Sequence, residues 1–296
     1  MTLSGANALT GIPGGMVDGH AHVFERGLAL VPGRRYAPTD DALLSEYVAH
    51  LKQHRMVGGV LVQPSFLGTD NSYLLAALKA VRQQSSDLVL KGVVTLAPST
   101  SLTMLDELTR RGVVGMRFNL FGKGPSYQFD ITPWIRLLKD VSARGWHVAL
   151  HGEGALVAGV LPQLLRHAET VVVDHFGLPD QVARADAASQ AVILSAPLGR
   201  VFVKVSAPYR VFRELTSHDA ATACDDIFTS LFETLGPEHL LWGSDWPWTQ
   251  FEGRHSYADT VSWGERWVRA ALDRTEFPAP KIDHLRPNVF GTGVRR

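Results

Sequence analysis

The chain is 296 residues long, 45% hydrophobic and 20% charged, and its 29 Lys and Arg balance its 29 Asp and Glu. That balance argues against nucleic acid or an anionic membrane as a partner, while leaving room for a local basic pocket. The single cysteine, Cys224, excludes a disulfide framework and points to a reducing, cytoplasmic setting, and no apolar run is long enough to span a bilayer.

Residues 1–14 lack the basic start and apolar core of a signal peptide and read as a flexible arm. The first apolar strand follows and ends in Asp18-Gly19-His20-Ala21-His22. Side chains alternate along a strand, so His20 and His22 share one face. A Gly- and Pro-bearing loop with Arg34, Arg35 and Tyr36 leads to a helix ending near His54, with Leu43, Leu44, Tyr47, Val48 and Leu51 at helical spacing. Gly58 to Pro64 is a buried strand opening into the polar loop Ser65 to Asn71, and a helix with Leu74, Leu75, Leu78 and Val81 comes next. Leu88 to Leu96 is a strand, Ser101 to Arg110 a helix, and Val113 to Phe118 a strand that carries Arg117.

The alternation continues through a loop holding Lys123, a helix around Pro133 to Ala143, and a strand from His147 to Leu150 that ends at His151. A helix around Val157 to His167 and a strand from Thr170 to Asp174, just before His175, come next. Gln181 to Leu194 reads weakly as helix, and Val201 to Val205 is a strand with Arg210 in the loop beyond. Ala220 to Leu235 is a helix, Leu240 to Trp242 a strand leading to Asp245, and Tyr257 to Leu272 the last clear helix, before a closing Pro287 to Phe290. Eight short strands separated by helices predict a parallel sheet, and this count in about 300 residues predicts one (β/α)₈ TIM barrel over residues 15–296. An open doubly wound sheet is the runner-up, disfavoured because no Gly-x-Gly-x-x-Gly follows the first strand.

In such a barrel the C-terminal strand ends share one mouth. His20, His22, His151, His175 and Asp245 would meet there. Four imidazoles and a carboxylate suit one divalent ion, with Zn²⁺ the first choice, and Asp245 can take a proton from water. The other histidines read as surface or packing residues. His147 shares the face of His151 but lies deeper and reads as structural, and Glu153 reads as a solvated loop charge. Arginines at a barrel mouth read as carboxylate clamps, with internal ion pairing to Asp174, Asp70 or Glu153 as the bland alternative.

Asp18-Gly19-His20-Ala21-His22, Asp174-His175-Phe176-Gly177-Leu178-Pro179 and Trp242-Gly243-Ser244-Asp245-Trp246-Pro247 resemble the amidohydrolase superfamily, in its lactonase branch. Arg35-Tyr36-Ala37-Pro38, Val62-Gln63-Pro64-Ser65, Gly115-Met116-Arg117-Phe118-Asn119, and Lys204-Val205-Ser206 with Arg210 match the same branch. The resemblance implies a hydrolase that opens a small anionic lactone. Asp245, His20, His22 and His175 would be catalytic, and Tyr36, Ser65, Arg117, Lys123 and Arg210 would hold substrate carboxylates. Dicarboxylate-specific members have arginine in place of Lys123 and tyrosine in place of His151, and work without metal. His151 therefore makes a metal site feasible here, and metal independence is the alternative. Two other functions stay open: a metal-dependent decarboxylase of an aromatic or unsaturated acid, and a catalytically silent small-acid binding protein.

Overall fold

The structure is a computed structural model that describes residues 15–84, 87–124, 126–179, 187–197 and 199–274. The expected N-terminal arm, the first part of the Gln181 to Leu194 helix and the closing Pro287 to Phe290 lie outside the described residues.

Eight strands form one parallel sheet in sequence order: β1 (Met16–Ala21), β2 (Met56–Val62), β3 (Val89–Val94), β4 (Val113–Asn119), β5 (His147–His151), β6 (Val171–Val173), β7 (Val201–Val205) and β8 (Leu240–Trp242). Helices α1 (Leu44–Gln53), α2 (Ser72–Gln83), α3 (Leu102–Arg110), α4 (Ile135–Ser142), α5 (Gly154–Leu164) and α6 (Ala187–Leu194) each follow a strand. Beyond β7 come α7 (Pro208–Val211), α8 (Ser217–Ala223) and α9 (Asp225–Leu235), and α10 (Tyr257–Arg274) follows β8. The expected helix Ala220 to Leu235 is thus two helices that break at Cys224, next to Asp225, which turns its carboxylate to Arg266 at 2.6 Å.

The main core lies between strands and helices, where Leu61, Leu78, Val94, Leu108, Leu137 and Leu150 are buried together. Period-2 alternation turns a second set of residues into the barrel. Val60, Val62, Val93 and Ala149 form one apolar group, and Val172, Phe202 and Leu241 another. Two residues beyond Ala149, Val172 and Phe202, the same faces carry His151, Asp174 and Lys204. Strand register therefore switches the barrel interior from apolar to ionisable as it rises toward the mouth.

The barrel closes between β1 and the segment after β8. Ala21 pairs with Trp246 in a parallel bridge, His22 N donates to Trp246 O at 2.8 Å, and Asp245 N donates to His20 O at 2.8 Å. Gly243 permits this approach: a Cβ there would stand 2.7 Å from His20 Cβ and 2.9 Å from its backbone nitrogen. We predict that Gly243→Ala costs about 1–3 kcal/mol of stability through overpacking, read as a lower denaturation midpoint. Leu102→Ala, at a side chain 50% exposed, should leave the midpoint almost unchanged.

Candidate active site

The site assembles at the closure. Asp18 is fully buried on β1, and its Oδ1 accepts from His20 N at 3.1 Å and Ser244 N at 2.9 Å. Its Oδ2 accepts from Ser244 Oγ at 2.6 Å and Tyr257 Oη at 2.9 Å. Burial pushes the Asp18 pKa up, against these hydrogen bonds. Asp18 thus ties the first histidine strand to the loop that carries Asp245.

Asp245 is buried, and its two oxygens have different surroundings. Oδ2 accepts from Tyr209 Oη at 2.7 Å and Arg210 Nε at 2.7 Å. Oδ1 has no hydrogen-bond partner among the described residues, and stands 3.7 Å from His20 Nε2, 3.8 Å from His22 Nε2 and 3.7 Å from His175 Nε2. Burial works to raise the Asp245 pKa, but the Arg210 guanidinium on Oδ2 leads the interactions that outweigh it and hold the carboxyl well below its ordinary range.

The histidines themselves are neutral. Burial lowers the pKa of His22 to about 4 and of His175 to about 3, and takes those of His20 and His151 well below 6.5. His22 Nδ1 lies 2.7 Å from Val62 O, and His175 Nδ1 lies 2.9 Å from Ser206 Oγ. Their Nε2 atoms both face Asp245. His175 sits in a turn beyond β6, with φ of 52°, and Asp245 has φ of 57°. Both are non-glycine residues in the left-handed region, where strain collects at functional sites.

The donor set fits a single ion. Zinc bonds of 2.0–2.2 Å in a tetrahedron put ligand atoms about 3.4 Å apart. The His20–His22 nitrogens are 3.2 Å apart, and both lie 3.7–3.8 Å from the unpartnered Asp245 oxygen. His20, His175 and Asp245 offer donor atoms all within 4.8 Å of one another. His151 falls in a different group, with Asp174 and His175. Four of the five expected ligands therefore fall in two overlapping trios that share His175, the second completed by Asp174, with His22 beside the first, because β5 stands farther around the barrel than β1 and the β8 loop.

The cleft above these groups is lined by His22, Arg35, Tyr36, Ser65, Arg117, Asn119, Phe121, His151, His175, Arg210 and Asp245, among others. Tyr36, Ser65, Arg117 and Arg210 are thus brought together on the wall of this cleft. Lys123 is not: it is exposed, outside this lining, with Nζ 5.6 Å from the Tyr127 ring centroid. Arg117 also makes the internal pair that the sequence left open, through Nε to Asp174 Oδ2 at 2.9 Å. Glu153 is a half-buried residue, not a solvated one, and accepts from Gly122 N at 2.8 Å. His147 is buried below the site, as expected, and burial lowers its pKa to about 3.

Sequence reasoning missed Tyr209, Lys204, Asp174 and Ser206 as site residues. Two signals were available: period-2 places Lys204 of β7 and Ser206, just beyond its end, on the inner face, and Asp174 immediately precedes His175. Tyr209 stands in α7, where no strand pattern could aim it.

A parallel (β/α)₈ barrel with buried His and Asp donors at its mouth is the architecture of a barrel hydrolase. The chain matches the amidohydrolase family over residues 17–277 and belongs to it. It is 30% identical over 250 residues to a 2-pyrone-4,6-dicarboxylate hydrolase of Comamonas testosteroni, covering 80% of this chain and 78% of the relative. It is 30% identical over 242 residues to a 4-sulfomuconolactone hydrolase of Rhizobium radiobacter, with coverage of 80% and 77%. Among solved structures, a probable 2-pyrone-4,6-dicarboxylic acid hydrolase of Acinetobacter baumannii with citric acid bound is 29% identical, with a TM-score of 0.81 over 94% of this chain and 96% of that one.

Neutral burial of the histidines has a definite sign. Between pH 6.5 and about 4 the unfolded chain takes up protons that folded His22, His147 and His175 refuse. Acidification through this window therefore favours unfolding, by up to about 1.4 kcal/mol per pH unit for each group. The urea midpoint should fall steadily from pH 7 to pH 4.5, and a flat profile would contradict neutral burial.

Proposed function

We propose that this chain hydrolyses a small anionic lactone, with Asp245 activating water for attack on the ester carbonyl. The observation that carries this reading is the single bare oxygen of Asp245, buried among three neutral imidazoles beneath a cleft lined by Arg35, Arg117 and Arg210. The names of the two lactone hydrolases and the citric acid in the Acinetobacter structure support it.

Arg117 and Arg210 spend Nε on carboxylates inside the protein, which turns their guanidinium groups into the cleft wall. A guanidinium fork matches a substrate carboxylate, and Arg35, Tyr36 and Ser65 complete the polar rim. The clamp sets the lactone carbonyl over Asp245. Oδ1 takes a proton as the water oxygen bonds to the carbonyl carbon, and imidazole N–H groups are the donors available to the developing oxyanion. The C–O ring bond then breaks, and the proton on Asp245 passes to the departing ring oxygen. Oδ2 remains held by Tyr209 and Arg210, so the carboxylate keeps one orientation throughout.

His20, His22, His175 and Asp245, with His151 through the second trio, are the residues that would hold a divalent ion, and Zn²⁺ suits their imidazole and carboxylate donors. Such an ion, when bound, polarises a carbonyl and lowers the pKa of water. One barrel carries the whole reaction in this reading, and its buried free Cys224 suits a reducing cytoplasm. No described helix is long and apolar enough to cross a membrane.

The test is turnover of acidic lactones, followed as ring opening with CO₂ release measured in parallel. Asp245→Asn should lower kcat by roughly 10²–10⁴-fold. Arg117→Met should cost about 2–5 kcal/mol in kcat/KM on an acidic lactone and far less on a neutral one. Equal losses on both substrates would remove the clamp. Release of CO₂ would replace hydrolysis with decarboxylation.

A further inference from the structure

Lys204 has no part in the reaction above, yet it is among the largest fully buried side chains of the protein. It points from β7 into the barrel, with Nζ 2.9 Å from His20 Nδ1 and 3.1 Å from Asp174 Oδ1. Asp174 is paired a second time, through Oδ2, with Arg117. These contacts fix where the His20 proton sits.

Two independent contacts give the same answer. Val62 O can only accept, so His22 Nδ1, 2.7 Å away, carries the proton, and neutral His22 Nε2 is a bare acceptor. His20 Nε2 lies 3.2 Å from that acceptor and must donate to it. His20 Nδ1 is then bare, and it faces the ammonium of Lys204, a group with donors only. A hydrogen-bonded chain thus runs from Lys204 through His20 and His22 to the backbone of β2.

We infer that Lys204 is a positioning residue that holds His20 as its Nε2–H tautomer, making His20 a hydrogen-bond donor in the site and opposing its use as a metal ligand. A metal needs the bare nitrogen at Nε2. To supply it, His20 must move its proton to Nδ1 and turn that N–H to another acceptor, of which Asp174 Oδ1 at 3.5 Å is the nearest carboxylate oxygen. Lys204 blocks the change, because its own N–H groups already point at Nδ1. The donor geometry of the site suits an ion, and one lysine behind it opposes the tautomer that an ion requires. Such a partner behind a ligating histidine alters metal affinity by roughly 10–100-fold.

The inference deepens the lactonase reading of this site, and its readouts do not depend on turnover. Lys204→Met keeps the aliphatic volume and leaves Asp174 paired with Arg117. In the metal-free protein, ¹⁵N-histidine NMR should show His20 as Nε2–H in the native chain and as Nδ1–H in Lys204→Met. Zn²⁺ binding, measured by competition with a chromophoric chelator, should tighten by at least tenfold in the variant. Unchanged zinc affinity with an unchanged His20 tautomer would overturn the inference. Should Lys204→Met not fold, the native spectrum alone decides: Nε2–H supports the assignment and Nδ1–H overturns it. Absence of lactonase activity in the native chain with these results intact would instead count against the proposed reaction.

Discussion

Everything at this site depends on the closure between β1 and the segment after β8. An open eight-stranded sheet would leave His20 and Asp245 on opposite edges. The bridge between Ala21 and Trp246, with the bond from Asp245 N to His20 O, brings them within reach. Asp18 locks that contact from below through four accepted hydrogen bonds, two of them from Ser244. Desolvating a carboxylate is expensive, and several donors must converge on it to offset the cost. The donors that converge on Asp18 belong to β1, to the β8 loop and to α10, so one buried group holds three elements in register.

The same economy of partners orders the charges above it. Arg117 and Lys204 share Asp174, while Arg210 takes one oxygen of Asp245. Arg117, Arg210 and Lys204 thus face Asp174 and Asp245 inside the barrel, burial lowers the Lys204 pKa against the pull of Asp174, and the histidines between them are kept neutral by burial. Arg117 and Arg210 lie at the mouth, where they reach the cleft. An anion entering there would meet two guanidinium groups, which is the physical basis of the acidic substrate proposed above.

The barrel was legible in the sequence because strand and helix periodicities differ, and the eight alternations survive even where β6 and β8 shrink to three residues. The strand-end histidines were legible for the same reason: His20 and His22 follow the period of β1. What escaped was what the period does not encode. His151 lies on its strand as expected, but its place around the barrel groups it with Asp174 rather than with Asp245. Lys123 sits in a long loop whose path no pattern predicts, and the structure leaves it exposed. Tyr209 reaches Asp245 from the four-residue helix α7, too short to leave a periodic trace. Lys204 and Asp174 carried a readable signal, since an ionisable residue on the inner face of an apolar strand requires a partner.

Backbone strain marks the same positions. His175, Ala207 and Asp245 hold φ between 51° and 57°, where a side chain is disfavoured. Such residues cost about 1–3 kcal/mol each and persist only where their surroundings over-determine them. At Asp245 the surroundings are explicit: its nitrogen is held by His20 O, and its Oδ2 by Tyr209 and Arg210. Ala207 sets the start of α7, which delivers both of those side chains. At His175 the ring is fixed through Nδ1 by Ser206, the residue just before Ala207. The three strained residues therefore support one another across the β6, β7 and β8 loops, and their common product is an Asp245 carboxylate oxygen with no hydrogen-bond partner among the described residues. In the proposed reaction Asp245 would be a base already desolvated and aimed, which needs little reorganisation when substrate arrives, and the three turns hold it there.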